Sequence, residues 1–150
     1  MVVRGRPYTY SDLGAKVSAG ASGLHHLGVR PEERVFMVLL DGLEFVGTFL
    51  GAMRLGAIPV PVNPLLNGHD LAAIAADSRA RIAVVSSERT VVVEALVAEA
   101  PEIVEVILTG AHAPPVSRDV RVHPWEGVMD DMDAAAPMPY PTKEDSPGFW

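Results

Sequence analysis

Val35-Phe36-Met37-Val38-Leu39-Leu40 is a continuous apolar run. A strand with one solvated face alternates apolar and polar residues, so an unbroken run predicts a strand that is buried on both faces. Strands of this kind belong to parallel sheets that are covered by helices on both sides. Asp41 follows at once and Glu44 comes three residues later, and this capping-box spacing predicts Asp41 as the N-cap of a helix.

Strands and helices alternate on both sides of this run. The sequence predicts strands at 35–40, 57–62, 82–85 and 104–108, a β-prone run at 8–10 and a weak strand at 120–122. It predicts a helix that is capped by Ser11 and ended by Gly28, a helix that ends at Leu55 and Gly56, and a helix at about 69–78. Two more helices are predicted, one at about 88–100 capped by Ser87 and a short one at about 125–129.

This rhythm predicts an α/β fold with a mostly parallel sheet and helices on both faces. Residues 1–110 are expected to form an α/β subdomain. Residues 111–150 are expected to form an irregular, proline-rich connector, because Pro137, Pro139 and Pro141 alternate there after an acidic stretch. Val38 is expected to lie at the centre of the sheet.

Composition excludes several classes of function. The net charge of −7 and the 12 scattered Lys and Arg residues do not form a nucleic-acid footprint. The chain has no cysteine, so it has no disulfide and no thiolate chemistry, which fits a cytoplasmic protein.

The apolar stretch 43–62 predicts no membrane span, because Arg54, Pro59 and Pro61 divide it into pieces shorter than a bilayer requires. Its Gly47-x-x-x-Gly51 spacing predicts instead that this helix approaches a neighbour closely. The apolar face that the helix turns inward is predicted as Leu43, Val46, Phe49, Leu50 and Met53.

No residue of the chain is predicted as catalytic, cofactor-binding or metal-binding. The turn after the first buried strand lacks the glycines of a dinucleotide site, and Asp41 lacks the partners of a phosphoacceptor. Ser86 and Ser87 have no nucleophile elbow, and the acidic residues 130–133 are interpreted as a solvated run. The histidines lack ligand spacing, so surface or capping roles are predicted for them: His25, His26, His69, His112 and His123.

Two segments resemble a known family. Residues 8–13, Tyr-Thr-Tyr-Ser-Asp-Leu, resemble the first core motif of the adenylate-forming enzymes, and residues 53–64, which contain Gly56-Ala57 and Asn63-Pro64, resemble the second. The resemblance covers about residues 4–108, and residues 31–35, 59–63 and 145–150 look most like benzoate-type aryl-CoA ligases.

The resemblance implies a fragment of an ATP-dependent ligase that forms an acyl-adenylate and then a CoA thioester. ATP, Mg²⁺, CoA and a small aromatic carboxylate are implied for the full-length enzyme, and none is expected to bind this chain alone. The phosphate loop, the Mg²⁺-binding glutamate and the catalytic lysine belong to later segments of the family. The chain is therefore expected to be incomplete at both ends, inactive alone, and partnered by the remainder of the ligase.

Two alternatives remain open. The chain could be a free-standing α/β binding or regulatory module, which a complete 150-residue coding sequence and cooperative monomeric folding would favour. It could also be an assembly partner, forming a homo-oligomer through an uncovered sheet surface, which size-exclusion at two concentrations would reveal.

Overall fold

A parallel five-stranded sheet is the centre of the protein. The computed structural model describes residues 2, 3, 5–110, 116–130 and 137–150. Within them, the strands are adjacent in the order β4-β3-β5-β6-β7, and every pairing in this sheet is parallel. A separate antiparallel pair, β1–β2, precedes it. Numbered in chain order, the strands are β1 (Val2–Val3), β2 (Arg6–Pro7), β3 (Arg34–Val38), β4 (Ile58–Pro61), β5 (Ile82–Ser86), β6 (Glu105–Thr109) and β7 (Arg121–Pro124).

Helices cover both faces of this sheet, as the sequence predicts. Phe36 and Val38 pack with α3 and α4 on one face, whereas Val35 and Met37 pack with α1, α2 and α5 on the other. Val38 is fully buried at the centre, as expected. The helical elements are α1 (Tyr10–His26), α2 (Leu43–Arg54), α3 (Gly68–Ser78), a 3₁₀ segment (Ser87–Val92), α4 (Val93–Glu99) and α5 (Trp125–Val128).

The handedness of the crossovers explains this division of helices. The connection from β3 to β4 moves to one side of β3, and the connection from β4 to β5 returns past β3 to the other side. Because parallel crossovers are right-handed, a reversal of direction places the next helix on the opposite face. The helices α2 and α3 therefore lie on opposite faces, as observed.

The first helix begins earlier than predicted. Thr9, not Ser11, is the N-cap: its side chain accepts a hydrogen bond from the Asp12 amide, and the Asp12 carboxylate accepts one from the Thr9 amide. This reciprocal capping box satisfies two otherwise unpaired amides. The predicted β-prone run at 8–10 is wrong, because Tyr10 already belongs to α1 and the strand β2 ends at Pro7. Gly28 has a φ of 82°, which confirms the predicted end.

Asp41 does not cap α2. The N-cap is Gly42, in extended backbone, and it has no side-chain hydrogen bond to the helix. The strand β3 stops at Val38, and the Leu40 amide leaves the ladder to donate to the Ser86 hydroxyl at 2.9 Å. Asp41 therefore belongs to the bend between β3 and α2, and the helix starts two residues later, at Leu43.

The buried face of α2 differs from the prediction. Leu50 and Met53 were expected to point inward but are exposed, whereas Gly47, Thr48, Gly51 and Ala52 are buried. A Cβ on Gly51 would lie 2.8 Å from the amide nitrogen of Ala21 in α1. The predicted close approach of two helices at the glycines is thereby confirmed, and it is what turns the large side chains outward.

The predicted helix at 88–100 is two elements. A 3₁₀ segment runs from Ser87 to Val92, and α4 starts only at Val93. Three consecutive valines follow Thr90, and β-branched side chains lose rotamer freedom in an α-helix. Ser87 does not cap this element as predicted, because its hydroxyl bonds to the Glu88 carboxylate instead.

Residues 137–150 run beside the α2–β4 corner. The Arg54 guanidinium donates to the Pro137 carbonyl at 3.2 Å, and the Tyr140 amide donates to the Arg54 carbonyl at 2.9 Å. The Tyr140 ring covers Gly56, where a Cβ would meet it at 2.4 Å. Only glycine fits here, because Gly56 also has a φ of 74°.

Two further expectations concern surfaces. The residues of β5 are all buried, and so are Val35–Val38 of β3 and the first four residues of β6, so the faces of these central strands offer no uncovered area for a second chain. Within the described ranges, no helix has the length and apolar character needed to cross a bilayer.

Candidate functional site

The candidate site is the crevice at the carboxyl ends of β3 and β5. The crossover from β3 leads to one side of the sheet and that from β5 to the other, so this pair is the topological switch point. In open α/β sheets, ligands bind in the crevice outside the strand ends at such a point. A crevice of about 230 Å³ lies there, bordered by the turn after β3, the end of β5 and the end of β6.

Carboxylates dominate this crevice. Asp41 and Glu44 come from the turn after β3 and the start of α2, Glu88 from the segment after β5, and Glu126 from α5. No Lys or Arg lines it among the residues described. A negative lining repels an anion such as a nucleotide triphosphate. The described lining of the crevice is therefore unfavourable for ATP.

Two backbone amides at the crevice are already engaged. The Leu40 amide donates to the Ser86 hydroxyl, and the Ser87 amide donates to the Thr109 hydroxyl at 3.0 Å. Phosphate sites of the nest or helix-end type depend on amides that point at the ligand without a protein partner. These hydroxyls instead fasten the ends of β3, β5 and β6 to one another. Ser86 and Ser87 therefore have structural partners.

A second cleft, of about 390 Å³, lies beside α1 and was not predicted. The Lys16 ammonium in it forms an ion pair with Asp130, whose side chain is 31% exposed. This pair corrects the prediction that Asp130 belongs to a solvated run; residues 131–133 lie outside the described ranges. The cleft escaped the sequence analysis because its walls are far apart in the chain: Arg6, Tyr8, Asp12, Lys16, Leu43, Glu44, Trp125, Glu126 and Asp130.

Asp12 in this cleft is held in its charged form. The hydrogen bond from the Thr9 amide lowers the pKa of the Asp12 carboxyl, and the Thr9 hydroxyl adds to the effect. A carboxylate with these partners caps a helix, and it has no proton to donate near neutral pH. Its role in the cleft is structural.

Glu105 is the most deeply buried charged group of the sheet. Its carboxylate accepts hydrogen bonds from the Arg121 guanidinium and, at 2.7 Å, from His123 Nε2 on the neighbouring strand β7. Burial raises the pKa of the Glu105 carboxyl, but the hydrogen bonds from Arg121 and His123 outweigh burial, and the pKa lies below its ordinary value. The cluster fastens the edge strand to the sheet.

The other histidines have separate surroundings. His69 Nδ1 lies 2.7 Å from the Glu99 carboxylate, His26 Nδ1 lies 3.0 Å from the Ser22 carbonyl, and the His25 and His26 rings are neighbours. His112 lies outside the described residues. In the part of the chain that the structure describes, no group of three or more His, Asp or Glu side chains could hold a metal ion.

Comparison with known proteins identifies the family. The family model described as AMP-binding enzyme matches residues 1–147. The benzoate–CoA ligase of Thauera aromatica is 36% identical over 104 residues, which are 69% of this chain and 20% of that protein. A 4-hydroxybenzoate–CoA/benzoate–CoA ligase of Rhodopseudomonas palustris is 34% identical over 105 residues, 70% of this chain and 20% of its own length.

A solved structure agrees with these matches. The benzoate CoA ligase from Burkholderia xenovorans LB400 superimposes with a TM-score of 0.77 at 31% identity, over 95% of this chain and 27% of that one. The chain thus spans about a fifth of the length of the curated relatives it matches. With a family model matched along almost its whole length, the chain belongs to the AMP-binding enzyme family.

Proposed function

We propose that this chain is the N-terminal scaffold of an ATP-dependent aryl-acid CoA ligase of the benzoate type. The observation that carries the proposal is the similarity to two benzoate-activating ligases, each above 30% identity. The whole enzyme would activate an aromatic carboxylate on the α-phosphate of ATP, release pyrophosphate, and pass the acyl group to the thiol of CoA.

The parts of the chain that resemble the family motifs support a scaffold role. Residues 8–13 form the capped start of α1, and residues 53–64 form the end of α2, the turn at Gly56, the strand β4 and the turn after it. The crevice at the switch point is lined by carboxylates, and the Leu40 and Ser87 amides beside it already have protein partners. ATP, Mg²⁺ and CoA would therefore be held by later segments of the enzyme, with this sheet as their support.

An experiment on the chain alone tests whether ATP binding and adenylate formation depend on later segments of the enzyme. Titration calorimetry with Mg-ATP, and a pyrophosphate-exchange assay with benzoate, should both give no signal. A saturable ATP signal that a substitution within the chain abolishes would contradict the proposal and favour a free-standing binding module.

A second experiment tests the identity of the whole enzyme. The coding sequence after Trp150 should continue as a short apolar strand and a loop rich in Ser, Thr and Gly that ends in Pro-Lys-Gly. The complete protein should form AMP from ATP only when benzoate or a related aryl acid and CoA are present. A native stop codon at Trp150 would rule out the ligase. The division at residue 110, the cytoplasmic location and a homo-oligomer stay predictions.

A further inference from the structure

The 3₁₀ segment Ser87–Val92 connects β5 to α4 and is six residues long. A 3₁₀-helix rises more per residue than an α-helix and its hydrogen bonds have poorer geometry, so runs longer than about four residues are uncommon. A 3₁₀ stretch within a helical run often marks a hinge or a strained sequence. This segment continues directly into α4, so its 3₁₀ form needs a specific cause.

Hydrogen bonds to other parts of the chain hold the segment in this form. The Ser87 amide donates to the Thr109 hydroxyl at 3.0 Å, which ties the start of the segment to the end of β6. Arg89 Nη2 donates to the Leu66 carbonyl at 2.7 Å, which ties its middle to the turn between β4 and α3. Both acceptors lie outside the segment, so these bonds can break while the sheet stays intact.

The same arrangement has an unfavourable element at Arg89. Among the residues that the structure describes, no group accepts a hydrogen bond from its Nε, and this nitrogen is buried. A buried donor without an acceptor is unfavourable, because it has lost water and gained no partner in exchange. The guanidinium therefore supports the 3₁₀ form through Nη2 and opposes it through Nε.

The sequence itself specifies the alternative form. Its pattern predicts one α-helix over about 88–100 capped by Ser87, and α4 already forms the second part of it. An α-helix rises about 1.5 Å per residue and a 3₁₀-helix about 2.0 Å, so conversion of residues 88–92 shortens them by about 2.5 Å. Val93, Leu96 and Val97 are buried and fix α4 in the core, so the shortening draws Ser87 towards α4.

The start of the segment is also a wall of the crevice at the carboxyl ends of β3 and β5. Ser87 and Glu88 line this crevice, and Gly110 lines it after the end of β6. Ser87 and Gly110 approach closely, because a Cβ on Gly110 would lie 3.0 Å from the Ser87 Cβ. Movement of Ser87 towards α4 breaks this contact and withdraws one wall of the crevice.

We propose that residues 87–92 are a conformational switch, with a 3₁₀ state that keeps Ser87 against Gly110 and an α state that extends α4 back to Glu88 and widens the crevice. In the α state the Ser87 hydroxyl caps the helix and Arg89 leaves the Leu66 carbonyl. A ligand that fits only the wider crevice shifts the equilibrium towards the α state, because it contacts the two states differently. The switch does not depend on the ligase reaction.

Substitutions at Val91 test the switch, because this side chain is 79% exposed and lies outside the core. Val91→Ala should raise the ratio of the α state to the 3₁₀ state about threefold, since alanine favours an α-helix more than a β-branched residue does. Val91→Ile is the matched control: it keeps the β-branch and should leave the ratio unchanged. NMR measures the ratio, because nuclear Overhauser contacts from an α-proton to the amide four residues later mark the α form, and those to the amide two residues later mark the 3₁₀ form.

Variants of the holding bonds test the cause of the 3₁₀ form. Thr109→Val removes the hydroxyl that accepts from the Ser87 amide. Arg89→Met removes both the bond to Leu66 and the buried nitrogen without a partner. Each should strengthen the α contacts over residues 88–92 and weaken the contact between the β-protons of Ser87 and the α-protons of Gly110.

The Val91 pair decides the outcome. A gain of α contacts together with a loss of the Ser87–Gly110 contact in Val91→Ala, with neither change in Val91→Ile, supports the proposal. A Val91→Ala segment that stays 3₁₀, one that becomes α with the Ser87–Gly110 contact intact, or an equal gain in Val91→Ile overturns it. Folded Thr109→Val and Arg89→Met variants with unchanged contacts also overturn it, and if these do not fold, the exposed Val91 position still decides.

Discussion

Arg118→Met should lower the free energy of unfolding by about 3 kcal/mol. The guanidinium donates to four backbone carbonyls where α4 ends: those of Val97 at 2.9 Å, Ala100 at 3.2 Å, Pro101 at 2.9 Å and Ile103 at 2.8 Å. The last carbonyls of a helix have no partner within it, and Arg118 donates to one of them, that of Val97, as well as to the C-cap carbonyl of Ala100 and two carbonyls of the turn that follows α4.

The magnitude follows from burial. The bond to Pro101 is exposed, and water replaces it at little cost, whereas the other three bonds are partly buried. A hydrogen bond of this kind contributes about 1 kcal/mol net, which gives about 3 kcal/mol for the three. A cation at a helix C-terminus adds about 0.3–1 kcal/mol, and salt screens that part.

Urea unfolding followed by circular dichroism measures the change. Arg30→Met is the matched control: it removes the same charge from an exposed side chain and should shift stability by less than about 0.5 kcal/mol. Arg118→Lys should recover only part of the loss, because an ammonium lacks the planar fork that reaches several carbonyls. Equal midpoints for Arg118→Met and Arg30→Met would refute the reasoning.

Other substitutions test the core, the helix contact and the buried carboxylate. Gly51→Ala should destabilise the chain in urea unfolding, because the added Cβ would lie 2.8 Å from the backbone of α1. Gly14→Ala is the control: its Cβ meets nothing within 4 Å, so it should stabilise α1 by up to about 1 kcal/mol. Equal effects of the two substitutions would contradict the close packing of α1 and α2. Val38→Asp should prevent cooperative unfolding or cost more than about 4 kcal/mol, because it buries an unpaired charge; a native-like midpoint would disprove central burial. The pKa of the Glu105 carboxyl is below its ordinary 4.5, so its contribution to stability is present above that pH and is lost as the pH falls through the folded-state pKa. Glu105→Gln should remove this part of the pH dependence when the stability of both proteins is measured at a series of acid pH values. An unchanged pH dependence in the variant would contradict the role of Glu105.

The sheet could be predicted because its signal is local. The continuous apolar runs of β3 and β5 and the regular spacing of the helices between them are sufficient to indicate buried parallel strands. The second edge strand, β7, was also visible as a weak run, although its place beside β6 depends on Glu105 meeting Arg121 and His123 across the strands.

The ends and faces of the helices could not be predicted as well, because they depend on contacts with distant parts of the chain. Ser86 takes the Leu40 amide, so α2 starts beyond Asp41. The approach of α1 to Gly51 decides which side of α2 is buried, against the pattern of its large apolar residues. Hydrophobic periodicity reports only the residues of α2 itself, whereas the backbone of α1 decides here which face of α2 is buried.

The candidate crevice could be placed only with the strand order. Its walls come from the ends of three strands, and the sequence alone does not show that β3 lies between β4 and β5. Its acidic character was visible beforehand, because Asp41 follows the predicted strand 35–40 directly and Glu44 and Glu88 lie within four residues of the predicted strand ends.

The order of synthesis also bears on the corner between α2 and β4. Tyr140, whose ring covers Gly56, leaves the ribosome about 84 residues after it, so at about 5–20 residues per second the turn stays uncovered for about 4–17 seconds. During that time the turn relies on its own backbone hydrogen bonds, from the Gly56 amide to the Met53 carbonyl at 2.9 Å and from the Ala57 amide to the Ala52 carbonyl at 3.0 Å.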